Sequence, residues 1–443
     1  MKRVLLAFLL VWNLRAAEPS LISPDQVVSN ALAYSRRLKV LDQDVVAAGA
    51  KVDQTRAQEL PLLSADARAS QYTGLEAMDL GPFFHIPAIE TRSGAGVSVS
   101  QPLFTGGRLQ SQKESARQQQ AVARHERQGA TGDVALQALT AYWNWSKAVY
   151  AGESLQAAVT RMEAHALDMR NLHEAGLATD NDSLSTDVLL DRTRLRFEEA
   201  HRRVEVAQAR ITFLTGQSLG TNRLPAKTAA TPPPLPAEEI LLQTAQTNRP
   251  ERAARESEIQ AAEAQIKATR ADYYPQVSLV ARYEEGRPNL NNIPPLDKWQ
   301  DDAYVGVALS WNLFDWGLRK GRVAEAKARS DQARLRLDQT DDEIILEVRE
   351  ARINVQDVQQ RLEVSQRAFR SAQRNLEAAT DLWQNGLSRH SDVLDALAQL
   401  TDTEYEVTVA RADLALAQAA LDHAVGRLGK AKKPNSLGHS TAP

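Results

Sequence analysis

The sequence predicts a mainly helical fold with a small β part, made from one large supersecondary unit used twice. Three observations carry this. A constant offset of 210 residues aligns 107–216 with 317–426 without a gap. Aromatic residues are only 5% and charged residues 25%, with Ala, Leu, Gln, Glu and Arg dominant, which is the composition of long helices and coiled coils. Apolar or small residues recur at alternating steps of four and three over several consecutive heptads in each copy. The order within each copy is helix, strand, strand, long helix, turn, helix.

The chain opens with Lys2 and Arg3, an apolar run from Val4 to Trp12, and Ala16-Ala17 before Glu18. This pattern predicts a signal peptide over 1–17. The first structural repeat is placed at 18–225. Ser23-Pro24 is a helix start with Pro at the first helical position, and the helical pattern runs to Leu60 and stops at Pro61. A strand follows in which Leu63, Ala65, Ala67 and Ala69 alternate with Ser64, Asp66, Arg68 and Ser70, then a second strand around Val97, Val99 and Gln101. Gln101-Pro102-Leu103-Phe104-Thr105-Gly106-Gly107 leads into a helix expected to reach Glu174, roughly 100 Å at 1.5 Å per residue. Gly176 marks its end, and Asn181 is the expected cap of the returning helix.

A linker at 226–236 holds Pro232-Pro233-Pro234-Leu235-Pro236. The second repeat, 237–429, has a helix from Pro250 to Tyr274, a stop at Pro275, a strand over Gln276–Glu284 and another over Val305–Trp311. Its long helix begins after Leu313-Phe314-Asp315-Trp316-Gly317 and turns at Gly386, with Ser391 the expected second cap. The polar segment 430–443 is expected to be disordered.

Strands of about ten residues suit a tilted membrane crossing, and Tyr72, Phe83, Phe84, Tyr273, Tyr274, Trp299, Tyr304, Trp311 and Trp316 cluster near strand ends as an interfacial girdle would. A small soluble β-domain with a one-sided core fits the strands equally well. No helix after residue 17 is apolar enough to span a bilayer, so a membrane form must be a closed β-barrel.

The helical seams are less ambiguous. They run through Ala138, Ala141, Trp145, Leu155, Val159, Met162, Ala166 and Met169, and through Ile344, Val348, Val355, Val358, Leu362, Ala372 and Ala379. Such helices cannot bury both flanks within one chain of this length, which implies an oligomer.

Several chemistries are excluded. There is no cysteine, so no disulfide scaffold, thiolate metal site or cysteine nucleophile. A net charge of −3 gives no basic face for nucleic acid. The eight histidines have no metal-ligand spacing, and His85 and His165 read as surface residues. Trp143 and Trp145 read as packing residues. Without a phosphate loop, nucleophile elbow or triad, no catalytic residue, metal or cofactor is expected, and there is no methionine-rich stretch to suit copper.

The duplicated order, the Gln101–Gly107 segment, and Gly386 followed by Asp392-Val393-Leu394-Asp395-Ala396 resemble the TolC-type outer-membrane efflux channels. The resemblance covers about Ser23 to Gly429. It implies a homotrimer with a twelve-stranded barrel in the outer membrane of a Gram-negative-type bacterium, carried on a hollow helical barrel in the periplasm. The implied function is a passive exit duct of a tripartite efflux pump or type I secretion system. Its partners would be a periplasmic adaptor, an inner-membrane transporter and outer-membrane lipid. In such channels, Asp392 and Asp395 would stack as carboxylate rings at the gated periplasmic entrance, with Asp182 and Arg389 beside them. Arg389 and His390, which flank the turn, would pair with neighbouring carboxylates to hold it shut. The tips, Gly176-Leu177 and Gly386-Leu387, would dock the adaptor. Asp182 and Asp392 also sit where an acid simply favours a helix N-terminus. The rival reading is a secreted periplasmic coiled-coil scaffold or adaptor without a pore. Cargo cannot be read from these residues.

Overall fold

The computed structural model describes residues 20–79, 81, 85–86, 88–220, 223–226, 234–291 and 296–429. The signal peptide, the tail, Phe83, Phe84 and linker residues 227–233 lie outside them. In chain order the elements are β1 (Ser20–Ile22), α1 (Pro24–Tyr34), α2 (Arg36–Ala57), β2 (Leu62–Gln71), β3 (Met78–Asp79), β4 (His85–Ile86), β5 (Thr91–Phe104), α3 (Arg108–Glu174), α4 (Asp180–Thr215) and β6 (Arg223–Pro225). Then follow α5 (Glu238–Asn248), α6 (Pro250–Arg270), a 3-10 turn (Ala271–Tyr273), β7 (Gln276–Arg287), β8 (Gln300–Ser310), α7 (Leu318–Gln384) and α8 (His390–Ala424). The two long helices are 67 residues each.

Local chemistry sets these boundaries. Ser23 caps α1 with a full capping box: its hydroxyl accepts from the Gln26 N–H, and the Gln26 side chain accepts from the Ser23 N–H. The first helix is not continuous to Leu60. It breaks at Ser35, whose ψ of 116° is not helical, and α2 ends at Ala57. The same break recurs at Arg249 between α5 and α6, so the second copy has a helix before Pro250 that the hydrophobic pattern did not expose. β5 is also longer than its alternating core suggests, because Thr91–Gly96 continue the ladder with β2.

Contacts divide the chain into two compact units, and each draws on both repeats. The first comprises residues 1–39, 128–249 and 343–443. Its core joins Leu241 and Ala245 of α5 to Ile344, Val348, Val355 and Leu362 of α7 and Leu414, Leu421 and Ala424 of α8. The predicted seams are buried: Ala138, Trp145, Leu155, Met162, Ala166 and Met169 of α3, and Val348, Val355, Val358 and Ala372 of α7. Tyr142, fully buried on α3, fastens the parallel pair β1–β6. Its hydroxyl donates to the Ile22 carbonyl at 2.9 Å and accepts from the Ala226 N–H at 3.0 Å, and burial pushes its pKa up to about 12.

A charge network lies in the same unit. His423 of α8 places Nε2 3.1 Å from Asp133 of α3 and Nδ1 3.4 Å from Glu347 of α7. Arg37 pairs with Asp133 at 2.9 Å, and Arg249 pairs with Glu347 at 2.8 Å while reaching the carbonyls of His423 and Ala424 at the end of α8. Hydrogen bonds to Asp133 and Glu347 raise the His423 pKa to about 9 against the penalty of burial. His423 in turn leads in lowering Glu347 to about 2.

The second unit comprises residues 40–127 and 250–342 and contains an antiparallel sheet of order β2-β5-β7-β8. The register places Leu63, Val99, Ala281 and Val305 in one row across the sheet, and Ala65, Val97, Tyr283 and Ala303 in the next on the same face. The opposite face carries Ser64, Ser98, Arg282 and Tyr304, then Asp66, Gly96, Glu284 and Asp302. Tyr304 therefore belongs to the polar face rather than to a girdle. Tyr72 and Trp299 flank the loop end of the sheet; Tyr273, Tyr274, Trp311 and Trp316 flank the helical end, all exposed.

At the helical end of this unit Gly106 has φ 62°, and an added Cβ would lie 2.8 Å from Tyr274 Cβ and 2.9 Å from the Ala271 carbonyl oxygen. Only glycine fits there. The matching position, Trp316, holds a comparable φ of 55° but is 91% exposed, so a side chain has room.

Candidate functional site

Two sets of polar and charged residues stand out: the polar face of the sheet and the turns between the long helices.

On the sheet, Arg282 of β7 reaches over β5 to Asp66 of β2 with two hydrogen bonds of 3.0 and 2.9 Å, and also bonds Glu284 at 2.9 Å. Arg68 bonds Glu284 at 2.6 Å. Glycine permits this crossing, since a Cβ on Gly96 would sit 3.0 Å from an Arg282 nitrogen and 3.1 Å from the Tyr283 carbonyl oxygen. Nearer the loop, Asn289 and Asn291 both donate to Asp302. One face of the sheet is thus a network of charges and amides, and the other is mainly aliphatic.

The turns are near copies of each other. Gly176, with φ 74°, donates to the His173 carbonyl, and Leu177 donates to the Leu172 carbonyl at 2.8 Å. Gly386, with φ 71°, and Leu387 repeat this on Trp383 and Leu382. These are Schellman closures, which require the left-handed residue that glycine supplies. They leave Leu177 76% and Leu387 74% exposed at the two apices.

The caps lie two residues earlier than the sequence reading placed them. Thr179, not Asn181, caps α4, and Arg389, not Ser391, occupies the cap position of α8. The reason is reciprocal bonding. The Asp182 carboxylate accepts from the Thr179 N–H at 3.1 Å and from its hydroxyl at 2.6 Å, which holds its pKa below the usual carboxylate range despite partial burial. Asp392 accepts from the Arg389 N–H at 3.1 Å. Both acids are therefore engaged at helix starts. Asp395 differs: it is exposed and makes no hydrogen bond or ion pair among the described residues. The Arg389 side chain is exposed and makes no ion pair among the described residues of a single chain.

Two histidines were misplaced by that reasoning. His390 is 6% exposed, and its Nε2 lies 2.8 Å from the Thr186 hydroxyl of α4. His165 is half-buried and stacked on it. The missed signal is that His165 lies one residue before Ala166, on the edge of the α3 seam.

Among the described residues no helix is long and apolar enough to cross a membrane, and no group of acidic or histidine side chains could hold a metal ion.

The sequence profile of the outer membrane efflux protein family matches residues 27–217 and 241–427. Outer membrane protein OprJ of Pseudomonas aeruginosa is 25% identical over 392 residues, spanning 84% of this chain and 77% of that protein. Cation efflux system protein CusC of Escherichia coli is 25% identical over 394 residues, spanning 85% and 80%. A crystal structure of CusC superposes with a TM-score of 0.78 at 21% identity, covering 91% of this chain and 92% of that one. The outer membrane protein VceC of Vibrio cholerae superposes at 0.75 and 19%, covering 91% and 96%. Members of this family are the outer-membrane components of tripartite efflux pumps, working with an adaptor and an inner-membrane transporter. The scaffold reading without a pore finds no support. The chain belongs to the outer membrane efflux protein family and is a passive channel of the outer membrane, not an enzyme.

Proposed function

We propose that three copies of this chain close the duct, each supplying the four strands of its sheet to a twelve-stranded barrel. The observation that carries this is the open sheet. Among the described residues β2 and β8 each pair on one side only, and Leu62, Leu63, Val305, Val307 and Leu309 lie exposed on them. An unpaired strand edge cannot stand in hydrocarbon, so each β8 requires the β2 of another copy. With the sheet closed, the aliphatic face meets lipid and the Asp66–Arg282–Glu284 network lines the lumen.

The helices make the same demand. Val188, Leu195, Val206 and Phe213 on α4, and Leu346, Ile353 and Val364 on α7, are exposed at seven- and eleven-residue spacings. These are seams left uncovered by the described residues of one chain. The turns would then form the periplasmic tips, with Leu177 and Leu387 offered to an adaptor and Asp395, beside Asp392, Asp182 and Arg389, forming the charged entrance at which the duct is gated.

Mass measurement after gentle detergent extraction tests this. The expected species is three times the mature chain; a stable monomer refutes the closure argument.

A further inference from the structure

Four helices meet behind the turns. His165 of α3 and His390 of α8 stack with ring centroids 5.1 Å apart and planes 18° from parallel. Trp383 of α7 lies 5.4 Å from His390 and 6.1 Å from His165. Thr186 of α4 completes the group through its contact with His390 Nε2. The surrounding core is apolar: Met162, Ala166, Leu190, Val393 and Leu397.

The protonation state follows from hydrogen-bond counting. Thr186 has one hydroxyl hydrogen and gives it to the Asp182 carbonyl at 2.7 Å. His390 Nε2 must then carry a hydrogen and donate to the Thr186 oxygen. Nδ1 of His390 is left as a lone pair, buried and without a partner, and Nε2 of His165 is likewise buried and unpartnered. The charged groups facing the pair are Asp168 on α3, which acts on His165, and Asp182 on α4, which acts on His390. From α7 the neutral Trp383 faces it, and no charged α7 group acts on either ring among the described residues. On α8, His390 is the first helical residue, where the helix dipole opposes a positive charge. Burial outweighs the carboxylates, and both imidazole pKa values are lowered.

We propose that the His165–His390 pair is a proton-sensitive lock on the helical tips. When neutral, the stacked rings hold α3, α4, α7 and α8 together; protonation puts charge into an apolar core and loosens them. The proposal rests on the reading of the tips as the channel's gate. The sign follows from linkage. A histidine with a lowered folded pKa stabilises fully above its unfolded value of about 6.5 and loses that stability as pH falls toward the folded value.

Hydrogen exchange on the full protein in detergent tests the lock. Segments 162–190 and 379–397 are compared between wild type and His165→Phe/His390→Gln at each pH from about 7.5 to about 5, a window centred on imidazole titration. Phe keeps the stack, and Gln keeps a donor for Thr186. Wild-type protection is expected to fall relative to the variant by up to about tenfold per pH unit for each histidine. His165→Phe alone, which leaves the His390–Thr186 bond untouched, guards against a double variant that folds poorly, and about half the slope is expected. Identical pH dependence in wild type and both variants overturns the proposal. Planar-bilayer conductance separates it from the gate reading. Loosening that opens wild type but not the variant supports both, while loosening with unchanged conductance upholds the lock and refutes the tips as the gate.

Discussion

Replacing His423 by Gln removes the one titrating cation that α3, α7 and α8 share. The structure gives the size of the effect. His423 is 16% exposed, and its pKa rises from 6.5 to about 9. A rise of two to three units at ~1.36 kcal/mol per unit is roughly 3 kcal/mol. The shifts of Asp133 and Glu347 report the same contacts from the other side, so they are not added. Because the folded pKa is raised, this stability is fully present below pH ~6.5 and is lost as pH climbs through about 9. The assay is urea unfolding of the detergent-purified protein, followed by helical circular dichroism at a series of pH values from about 6 to about 10. Wild type is expected to lose up to roughly 3 kcal/mol across that range, and His423→Gln to show a flat profile there. The variant keeps Arg37 on Asp133 and Arg249 on Glu347, so it leaves no carboxylate of this network unpaired. Equal pH slopes in the two proteins would refute the claim that His423 is charged and held by those carboxylates.

The entrance and the sheet give two more expectations. Asp392→Ala with Asp395→Ala is expected to reduce cation selectivity and multivalent-cation block in planar bilayers, with an additional cost of about 1 kcal/mol per subunit from the lost Asp392 cap. Unaltered selectivity in the folded double variant would refute the entrance reading and leave Asp392 as a helix-capping residue only. Gly96→Ala is expected to lower the heat resistance of the assembled protein more than Gly94→Ala. At Gly96 a Cβ meets the Arg282 guanidinium at 3.0 Å, whereas at Gly94 the nearest atom is 3.4 Å away. Equal losses on semi-denaturing gels would show that the Arg282–Asp66 crossing does not depend on that gap.

The duplicated order, the helical seams and the two turn glycines were legible in the order of residues alone. Each of these is a short-range regularity. A heptad step fixes which side of α3 or α7 is buried, and a left-handed residue after a helix restricts position 176 or 386 to a very few residue types. The alternation in β2, β5, β7 and β8 likewise defined two faces before any register was known. The family resemblance then supplied the channel, which no periodicity could. Contacts between residues far apart in the chain became visible only in the folded molecule. The break at Ser35 and the helix α5 were hidden because the helical pattern continues across the first and Pro-rich sequence precedes the second. The caps moved to Thr179 and Arg389 because Asp182 and Asp392 each reach back three residues, a choice among several adjacent polar side chains that composition does not rank. His165 read as a surface residue and His390 as a partner for acids, since nothing local reveals that α3 and α8 bring them face to face. Arg282 meets Asp66, 216 residues away, only because β5 lies between their strands and carries Gly96 at the crossing. Such pairings depend on which elements pack together, and that follows from burying the seams as a set rather than from any one segment of the chain.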